Sequence, residues 1–332
     1  MTAIAKRAGF WLAFLAASFL WTGCCVIRMP LKSHRGPLPA LTPEQGALAG
    51  SLRHDVQELA TVIGERNVFK PDGLRAATAF VEGEFVREGY KVVRQSYEAH
   101  GELWHNLEVE IPGKTRPGEI VVVGAHYDSV SGSVGANDNG SGVAAVLALA
   151  RAWSGREPTR TLRFVAFVNE EPPFFQTEKM GSLVYARHCR QRNDNIIAML
   201  SLETIGCYSD QPGSQKYPFP LGMFYPSRGD FIGFVGNRAN RRLVRQCIKS
   251  FRRQVSFPSE GAALPGSLPG IGWSDHWAFW QVDYPALMVT DTAPFRYTFY
   301  HTTEDTADKL DYERMARVVA GIDLVLQELV SK

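Results

Sequence analysis

Apolar and polar positions follow two different rhythms along the chain, and these rhythms predict its secondary structure. Apolar residues recur at helical spacing over 51–64 and 73–88, whereas "YKVVRQSYEA" and "HNLEVEIPG" alternate residue by residue as strands do. Continuous apolar runs, typical of buried parallel strands, come next and are interspersed with further helical segments. The runs are "EIVVVGAHYDS", "TLRFVAFVNEE", "NIIAMLSLETIG", 231–236 and "YPALMVTDT", and the helical segments are "VAAVLALARAW", "MGSLVYARHCRQ", 238–251 and 312–330. Such alternation predicts an α/β fold with a largely parallel sheet covered on both faces.

Histidines and carboxylates stand where the apolar strands stop or in the loops that follow them. They are His126, Asp128, Asp138, Glu170, Glu171, Glu203 and His301. Ligands of open α/β sheets bind at the carboxyl ends of the strands, so these side chains are expected to converge on one edge. Each has an ordinary structural explanation by itself, such as Asp138 capping the next helix. Their coincidence at one edge favours a functional site.

Two imidazoles and three carboxylates form a ligand set suited to divalent ions. Zinc is the first choice, with cobalt or manganese as substitutes. A carboxylate shared by two ions would create a two-metal site, with the ions about 3.5–4 Å apart. The five candidate ligands are His126, Asp138, Glu171, Glu203 and His301.

Glu170 is the spare acid, free to take a proton from a water. Neighbouring strand residues point to opposite faces, so Glu170 and Glu171 can serve one site only if the strand breaks there. Pro172 and Pro173 are predicted to cause that break.

Several motifs in series resemble peptidase family M28, a family of zinc aminopeptidases. They are "GAHYDSV", "GANDNGSGVAAVLALAR", "FVNEE", "MGSLVYA" and "FYHTTEDTADKLDYERM", in matching order and spacing from about Gly83 to the C-terminus. The resemblance implies a three-layer α/β/α sandwich around a mixed, mostly parallel sheet. The peptidase-like domain is predicted to span 45–332.

The resemblance also implies a role for each candidate ligand. Asp138 would bridge two zinc ions. His126 and Glu203 would complete the ligand set of one ion. Glu171 and His301 would complete that of the other. Position 203 is Glu where the best-known members carry Asp, and the longer side chain raises the prospect of a weaker or more exchangeable ion.

Catalytic and supporting roles follow from the same resemblance. Glu170 would be the general base that activates water for removal of N-terminal residues from a peptide substrate. Tyr300 matches a tyrosine that hydrogen-bonds the developing oxyanion in some relatives, and an aromatic simply packed over the site is the alternative. Asp128 would orient His126.

The segment "SDHWAF" resembles a family element that lines the substrate site. A pocket role is favoured for His276 over metal binding, and a core histidine tied to Asp275 is the alternative. The aromatic residues near these motifs would form either an apolar substrate pocket or core beneath long loops. They are Phe174, Phe175, Trp273, Trp277, Tyr297 and Phe299.

Two other functions are compatible with these motifs. A glutaminyl cyclase is a transferase that shares the fold and most of the motifs but works with a single zinc. A non-catalytic binding domain of the same fold is the second alternative, although here all five ligands and the base are in place.

The N-terminus differs from the rest of the chain. Lys6 and Arg7 precede a run without any charge from Ala8 to Ile27, which is typical of an export signal. "WTGCC" resembles a lipoprotein processing box with Cys24 as the lipidated residue, and an uncleaved membrane anchor is the alternative. Residues 1–28 are therefore predicted to direct export to the periplasm or attachment to a membrane, and the proline-rich 29–44 to act as a tether.

Composition narrows the choice of partners. The 332 residues are 45% hydrophobic with a net charge of +2, so the chain can bury a large core and nucleic acid is a poor candidate partner. Cys189, Cys207 and Cys247 show no CxxC spacing, which argues against a structural zinc knuckle. They are compatible with one disulfide or with free thiols.

Overall fold

The computed structural model describes residues 27–331. The predicted signal or anchor over 1–28, with Cys24, lies outside the described residues except for its last two positions. Seven α-helices lie within the described range: α1 Pro43–Gln57, α2 Pro71–Arg87, α3 Gly142–Trp153, α4 Gly181–Gln191, α5 Arg241–Gln254, α6 His276–Trp280 and α7 Tyr312–Ser331. Its strands are β1 Val93–Ala99, β2 Glu102–Ile111, β3 Arg116–His126, β4 Arg160–Phe167, β5 Asn195–Glu203, β6 Ile232–Asn237, β7 Ser259–Leu264 and β8 Ala286–Thr290.

The eight strands form one mixed sheet in the order β1-β2-β4-β3-β5-β8-β6-β7. The central strands β4, β3, β5 and β8 run parallel to one another, as the apolar runs predicted. The hairpin of β1 and β2 pairs antiparallel with β4, and β6 pairs antiparallel with β8. Carboxyl ends of the four central strands therefore meet at one edge, while β6 ends at the opposite edge.

Helices cover both faces of the sheet, which confirms the three-layer α/β/α sandwich. One core cluster packs α1, α2, α3, α5 and α7 against the sheet, and a second packs α4 and α6 against the other face. Alternate residues of β3 divide between them: Val121 and Val123 belong to the first cluster, Ile120 and Val122 to the second. A buried strand exposes successive side chains to opposite faces, so an unbroken apolar run is what this sandwich requires.

The first helix begins earlier than its apolar spacing predicted. The Thr42 side chain accepts from the Gln45 backbone N–H, and the Gln45 side chain accepts from the Thr42 N–H, so a capping box fixes the start at Pro43. A π-helical turn, Glu58–Ile63, continues the helix. Strand β7 and the short α6 had no prediction, because "SEGAAL" and "HWAFW" are too short for a clear period.

The segment predicted as a tether is attached to the domain along its length. Met29 is buried, the Ser33 hydroxyl accepts from the Ser259 N–H at 2.8 Å, and Arg317 donates to the Pro39 carbonyl at 2.5 Å. Every member of the three core clusters lies between Met29 and Val330. A chain that starts at Arg28 therefore contains the complete described core and is expected to fold on its own.

Between residues 27 and 331, no helix has both the length and the apolar character needed to cross a bilayer. The three cysteines in this range, Cys189, Cys207 and Cys247, are free thiols.

Candidate metal centre

The five predicted ligands come together at the carboxyl edge of the sheet. His126 and Glu203 are the last residues of the adjacent parallel strands β3 and β5. Asp138 lies in the glycine-rich turn before α3, and Glu171 lies in the loop after β4. His301 comes from the loop after β8, where its φ of 58° turns the chain.

These ligands form two groups that share Asp138. In the first group, His126 Nε2 lies 3.4 Å from Asp138 Oδ1 and 3.2 Å from Glu203 Oε2. In the second, His301 Nε2 lies 2.9 Å from Asp138 Oδ2 and 3.5 Å from Glu171 Oε1. Each oxygen of Asp138 thus faces one group. Within each group the ligand atoms lie within 4.8 Å of one another.

The candidate ligands fit zinc in two respects: their chemical type, and the buried oxygens among them that lack a hydrogen-bond partner. Imidazole nitrogens and carboxylate oxygens are the ligands that zinc takes in catalytic sites. Asp138 Oδ1 and Glu171 Oε1 are buried oxygens without a hydrogen-bond partner among the described residues. Buried polar atoms are normally paired, so both atoms point to a cation as the missing partner.

The buried carboxylates of the cluster also favour a bound cation. Burial raises the pKa of Glu203 to about 8, and it raises the pKa values of Glu170 and Glu171 well above their ordinary range. Neighbouring carboxylates add to each of these shifts, whereas His126 lowers all three. Burial also acts against ionisation of Asp138, yet His126 and His301 hold its pKa below the usual value. Crowded buried carboxylates of this kind are stabilised by a bound divalent ion.

Both glutamates of "FVNEE" face the centre, but the reason differs from the prediction. Strand β4 already ends at Phe167, and Asn169 turns the chain with a φ of 59° before the prolines are reached. Glu170 Oε2 lies 3.9 Å from His126 Nε2, outside both ligand groups. A buried carboxylate beside the ligands, but not among them, has the position that a general base requires.

Asp128 holds the backbone of both glutamates. Its Oδ1 accepts from the Glu170 N–H and its Oδ2 from the Glu171 N–H, each at 3.1 Å. The predicted contact with His126 is longer, at 3.5 Å between Nδ1 and Asp128 Oδ1. Asp128 therefore positions the loop after β4 in addition to facing the imidazole.

The segment "SDHWAF" reaches the centre through Ser274, which the sequence did not single out. The Ser274 hydroxyl donates to Glu203 Oε2 at 2.7 Å, and the Asn139 side-chain amide donates to the same oxygen at 3.2 Å. Two donors thus fix the carboxylate of the longer side chain. The only indications in the sequence were that Ser274 lies in "SDH" and Asn139 in "NDNGSG", both next to predicted site residues.

His276 lies in the core, which corrects its predicted pocket role. It is fully buried, its Nε2 contacts the Ile271 carbonyl at 2.8 Å, and its ring meets Trp280 edge-on. Burial lowers its pKa to about 4. Asp275 is fully buried too, and its carboxylate oxygens have no hydrogen-bond partner among the described residues. The alternative of a core histidine therefore holds for His276, but without a hydrogen bond to Asp275.

Asp305, within "HTTEDT", supports the turn that carries Asp138. Its Oδ2 accepts from the Asp138 N–H at 3.1 Å, and its Oδ1 accepts from the Asn137 N–H at 2.8 Å and from the Tyr297 hydroxyl at 2.9 Å. The loop that supplies His301 is thereby joined to the loop that supplies the shared carboxylate.

Arg66 also supports the turn that carries Asp138. Its guanidinium is fully buried and donates to backbone carbonyls, including those of Tyr127 at 2.7 Å and Gly135 at 2.8 Å. These carbonyls flank the segments that carry His126 and Asp138. Burial lowers the pKa of Arg66 to about 10, and the site carboxylates oppose that shift. No periodicity in "GERNVF" indicates such a role.

Tyr300 stacks on His301 and borders two cavities. Their rings lie 3.8 Å apart at 17°. The first cavity lies over the ligands, and Phe175 and Trp273 form part of its wall. The second is apolar and extends from Glu203, Trp273 and Tyr300 along β6, β7 and β8. Of the other predicted pocket aromatics, Phe174 and Trp277 pack against the core clusters, Tyr297 bonds Asp305, and Phe299 meets Tyr297 edge-on.

Comparison with known proteins shows which family and which fold the chain shares. The profile of peptidase family M28 matches residues 106–325. The uncharacterized protein YfbL of Escherichia coli is 37% identical over 294 residues, covering 86% of this chain and 88% of YfbL. The chain spans 44–58% of the length of several relatives named as aminopeptidases.

Solved structures share the fold. The zinc aminopeptidase BSAP of Bacillus subtilis superposes with a TM-score of 0.69 at 16% identity, covering 86% of this chain and 95% of BSAP. A glutaminyl cyclase of Tannerella forsythia superposes with a TM-score of 0.63 at 21% identity, covering 84% of this chain and 98% of the cyclase. The profile match and the likeness to YfbL, together with motifs that fold into two ligand groups at one sheet edge, show that the chain belongs to peptidase family M28.

Proposed function

We propose that the protein is a di-zinc aminopeptidase that removes N-terminal residues from peptides. The observation that carries the proposal is the division of Asp138 between two ligand groups, one oxygen to each. His126 and Glu203 would hold one ion with Asp138, and Glu171 and His301 would hold the other. Zinc bound there would supply Lewis acidity that polarises the scissile carbonyl and acidifies a water.

Glu170 would move the proton. Its carboxylate accepts a proton from the attacking water and returns it to the leaving amine. Burial and neighbouring acids raise the pKa of Glu170, which suits a group that must both accept and release a proton. Asp128 keeps Glu170 in place through its backbone N–H. The Tyr300 hydroxyl would donate to the developing oxyanion.

The apolar cavity beside the centre would take the side chain of the N-terminal residue. Val235, Ala262, Leu264 and Met288 line its wall, and Tyr300 stands where it meets the metal centre. Burying a large aliphatic or aromatic side chain there would stabilise the complex by about 1.5–3 kcal/mol. Peptides that begin with large apolar residues are the expected substrates.

Mass analysis of a peptide mixture tests the proposal. The purified, zinc-supplied protein is incubated with matched free and N-acetylated peptides, some of which begin with Gln. Stepwise loss of N-terminal residues from the free peptides alone is the expected result. Cleavage of the acetylated peptides at the same rate would contradict aminopeptidase action.

A glutaminyl cyclase is the second candidate, favoured by the likeness to the Tannerella forsythia enzyme. In that reaction the amine of an N-terminal Gln attacks its own side-chain amide and ammonia leaves. Loss of ammonia from the Gln peptides without cleavage would establish it. Zinc content separates the two further, since a cyclase would hold one ion per chain and the peptidase two.

We also propose export and attachment to a membrane through residues 1–28. The uncharged run from Ala8 to Ile27 behind Lys6 and Arg7 supports this localisation. Lipidation of Cys24 or retention of the run as an anchor would both attach the domain to a bilayer. Fractionation of cells with and without a Cys24→Ser substitution distinguishes these two routes.

A further inference from the structure

Helix α5 and the turn before it carry a dense positive charge. Between 238 and 253 the chain has seven cations and no acid: Arg238, Arg241, Arg242, Arg245, Lys249, Arg252 and Arg253. The whole chain has a net charge of only +2, so this charge is local. A cluster of Lys and Arg on one helix is the pattern that attracts an anionic surface.

Three of the seven cations lie exposed and, among the described residues, without an acidic partner on the outer side of α5 and of the turn before it, whereas Arg252 faces Glu260 and Arg253 pairs with Glu328. Leu243, Val244, Cys247, Ile248 and Phe251 are buried against the sheet and α7. Arg238, Arg242 and Lys249 are exposed. Among the described residues, no carboxylate oxygen lies within 4 Å of a charged nitrogen of these three side chains. Their charge is therefore available to an external partner.

The described chain begins on this same helix. Arg245 donates to the Arg28 carbonyl at 2.6 Å, and Arg252 donates to the carbonyls of Pro30 at 3.3 Å and Leu31 at 3.0 Å. Met29 is buried beside Ile248. These contacts fix the point at which the uncharged run Ala8–Ile27 joins the domain. That point lies beside the basic face.

Topology places the start of α5 opposite the metal centre. Strand β6 is antiparallel to β8, so it ends at Asn237 on the edge away from the ligands. Helix α5 begins four residues later, which puts Arg238, Arg241 and Arg242 at that remote edge. A surface that held these cations would leave the metal centre pointing away from it.

We propose that the basic face of α5 docks on an anionic lipid membrane. The inference rests on the proposed membrane attachment and adds an orientation to it. The N-terminal run brings the domain to the bilayer, the cations bind acidic headgroups, and the metal centre opens to the aqueous side, where soluble peptides reach it. A charged surface continuous with the attachment point favours lipid over nucleic acid as the partner.

Vesicle binding tests the proposal on a chain that starts at Arg28, which contains the complete described core. Binding is measured for vesicles with about 30 mol % phosphatidylglycerol and for neutral phosphatidylcholine vesicles. The variant carries R238Q, R242Q and K249Q. A control with the same change of charge carries K70Q, K91Q and K216Q, three exposed cations outside α5.

The unsubstituted chain and the control should bind the anionic vesicles in a salt-sensitive way and leave neutral vesicles unbound. The α5 variant should bind them at least about tenfold more weakly, since each cation near an anionic surface contributes measurably. An equal loss in the control, a loss below tenfold in the α5 variant, or tighter binding to duplex DNA than to the vesicles would overturn the proposal.

The full chain in lipid nanodiscs gives a second measurement. Lys249 should react several-fold more slowly with an amine-reactive reagent in anionic than in neutral nanodiscs, while exposed Lys91 reacts equally in both. Equal rates for Lys249 would overturn the proposal. Peptide hydrolysis by the same variants tests the proposed function separately, because none of the substituted residues lies in the metal centre.

Discussion

The two ligand groups around Asp138 are built differently. In the first group, His126 is almost fully buried, and Glu203 accepts hydrogen bonds from Ser274 and Asn139. In the second group, the His301 side chain is 33% exposed, and Glu171 Oε1, like Asp138 Oδ1 in the first group, has no hydrogen-bond partner among the described residues. Supporting hydrogen bonds orient metal ligands and raise affinity. The first group is thus the better prepared for a metal ion, and the second is open to solvent.

This difference bears on the departure at position 203. The longer Glu raised the prospect of a weaker ion in the first group. The structure supports that carboxylate with two donors, so the more exchangeable ion is expected in the His301 group instead.

The largest expected effect separates the two adjacent glutamates. Glu170→Gln should lower kcat about 10³-fold while zinc stays at two ions per chain, because the proton acceptor is lost and the ligands remain. Glu171→Gln, the matched control, should lose the ion of the His301 group. Peptide turnover and zinc content, measured on both variants, distinguish the proton acceptor from the metal ligand. A Glu170→Gln enzyme with substantial turnover would contradict the role of Glu170 as general base.

Arg66 offers a way to weaken both groups at once. Arg66→Met should lower the free energy of unfolding by about 3 kcal/mol, since it leaves several buried carbonyls unpaired. Denaturant unfolding measures the loss, and zinc content shows whether both ions are affected.

Arg66→Lys keeps the charge and serves as the milder variant if the first does not fold. If either folded variant lost zinc from one group alone, Arg66 would not be the common support of the Asp138 turn.

Chelator titration tests whether the two ligand groups differ in metal affinity. One ion should leave at a chelator activity about tenfold to a hundredfold below that needed for the other. His301→Ala should abolish the early step and leave the late one. Loss of both ions in a single step, or survival of the early step in His301→Ala, would contradict the assignment of the weaker ion.

Ser274 gives the smallest and most local effect. Ser274→Ala should weaken zinc in the first group about tenfold, because Glu203 Oε2 loses its shorter hydrogen bond, and leave the second group unchanged. Competitive metal titration measures both affinities. Ser250→Ala, a change at a buried serine on α5, is the control and should alter neither.

From the sequence, the five candidate ligands that the structure brings together were easier to predict than the residues that support them. A polar residue at the end of an apolar run is recognisable from the sequence, and His126 and Glu203 were identified in this way. Asn139, Ser274, Asp305 and Arg66 act through hydrogen bonds between segments far apart in the chain, and no local period records such contacts. His276 was misplaced for the same reason: its neighbours Ile271 and Trp280 are contacts of the folded loop.

The sequence by itself determined the α/β/α fold, the family and the five candidate ligands, because buried strands require apolar runs and strand ends carry the chemistry. Only the tertiary structure decided how Asp138 divides between two groups, which group is the better supported, and where the basic helix lies relative to both. These properties depend on the order in which strands pair and on hydrogen bonds that close long loops. Neither strand order nor such long-range hydrogen bonds produce a pattern among residues that are neighbours in the sequence.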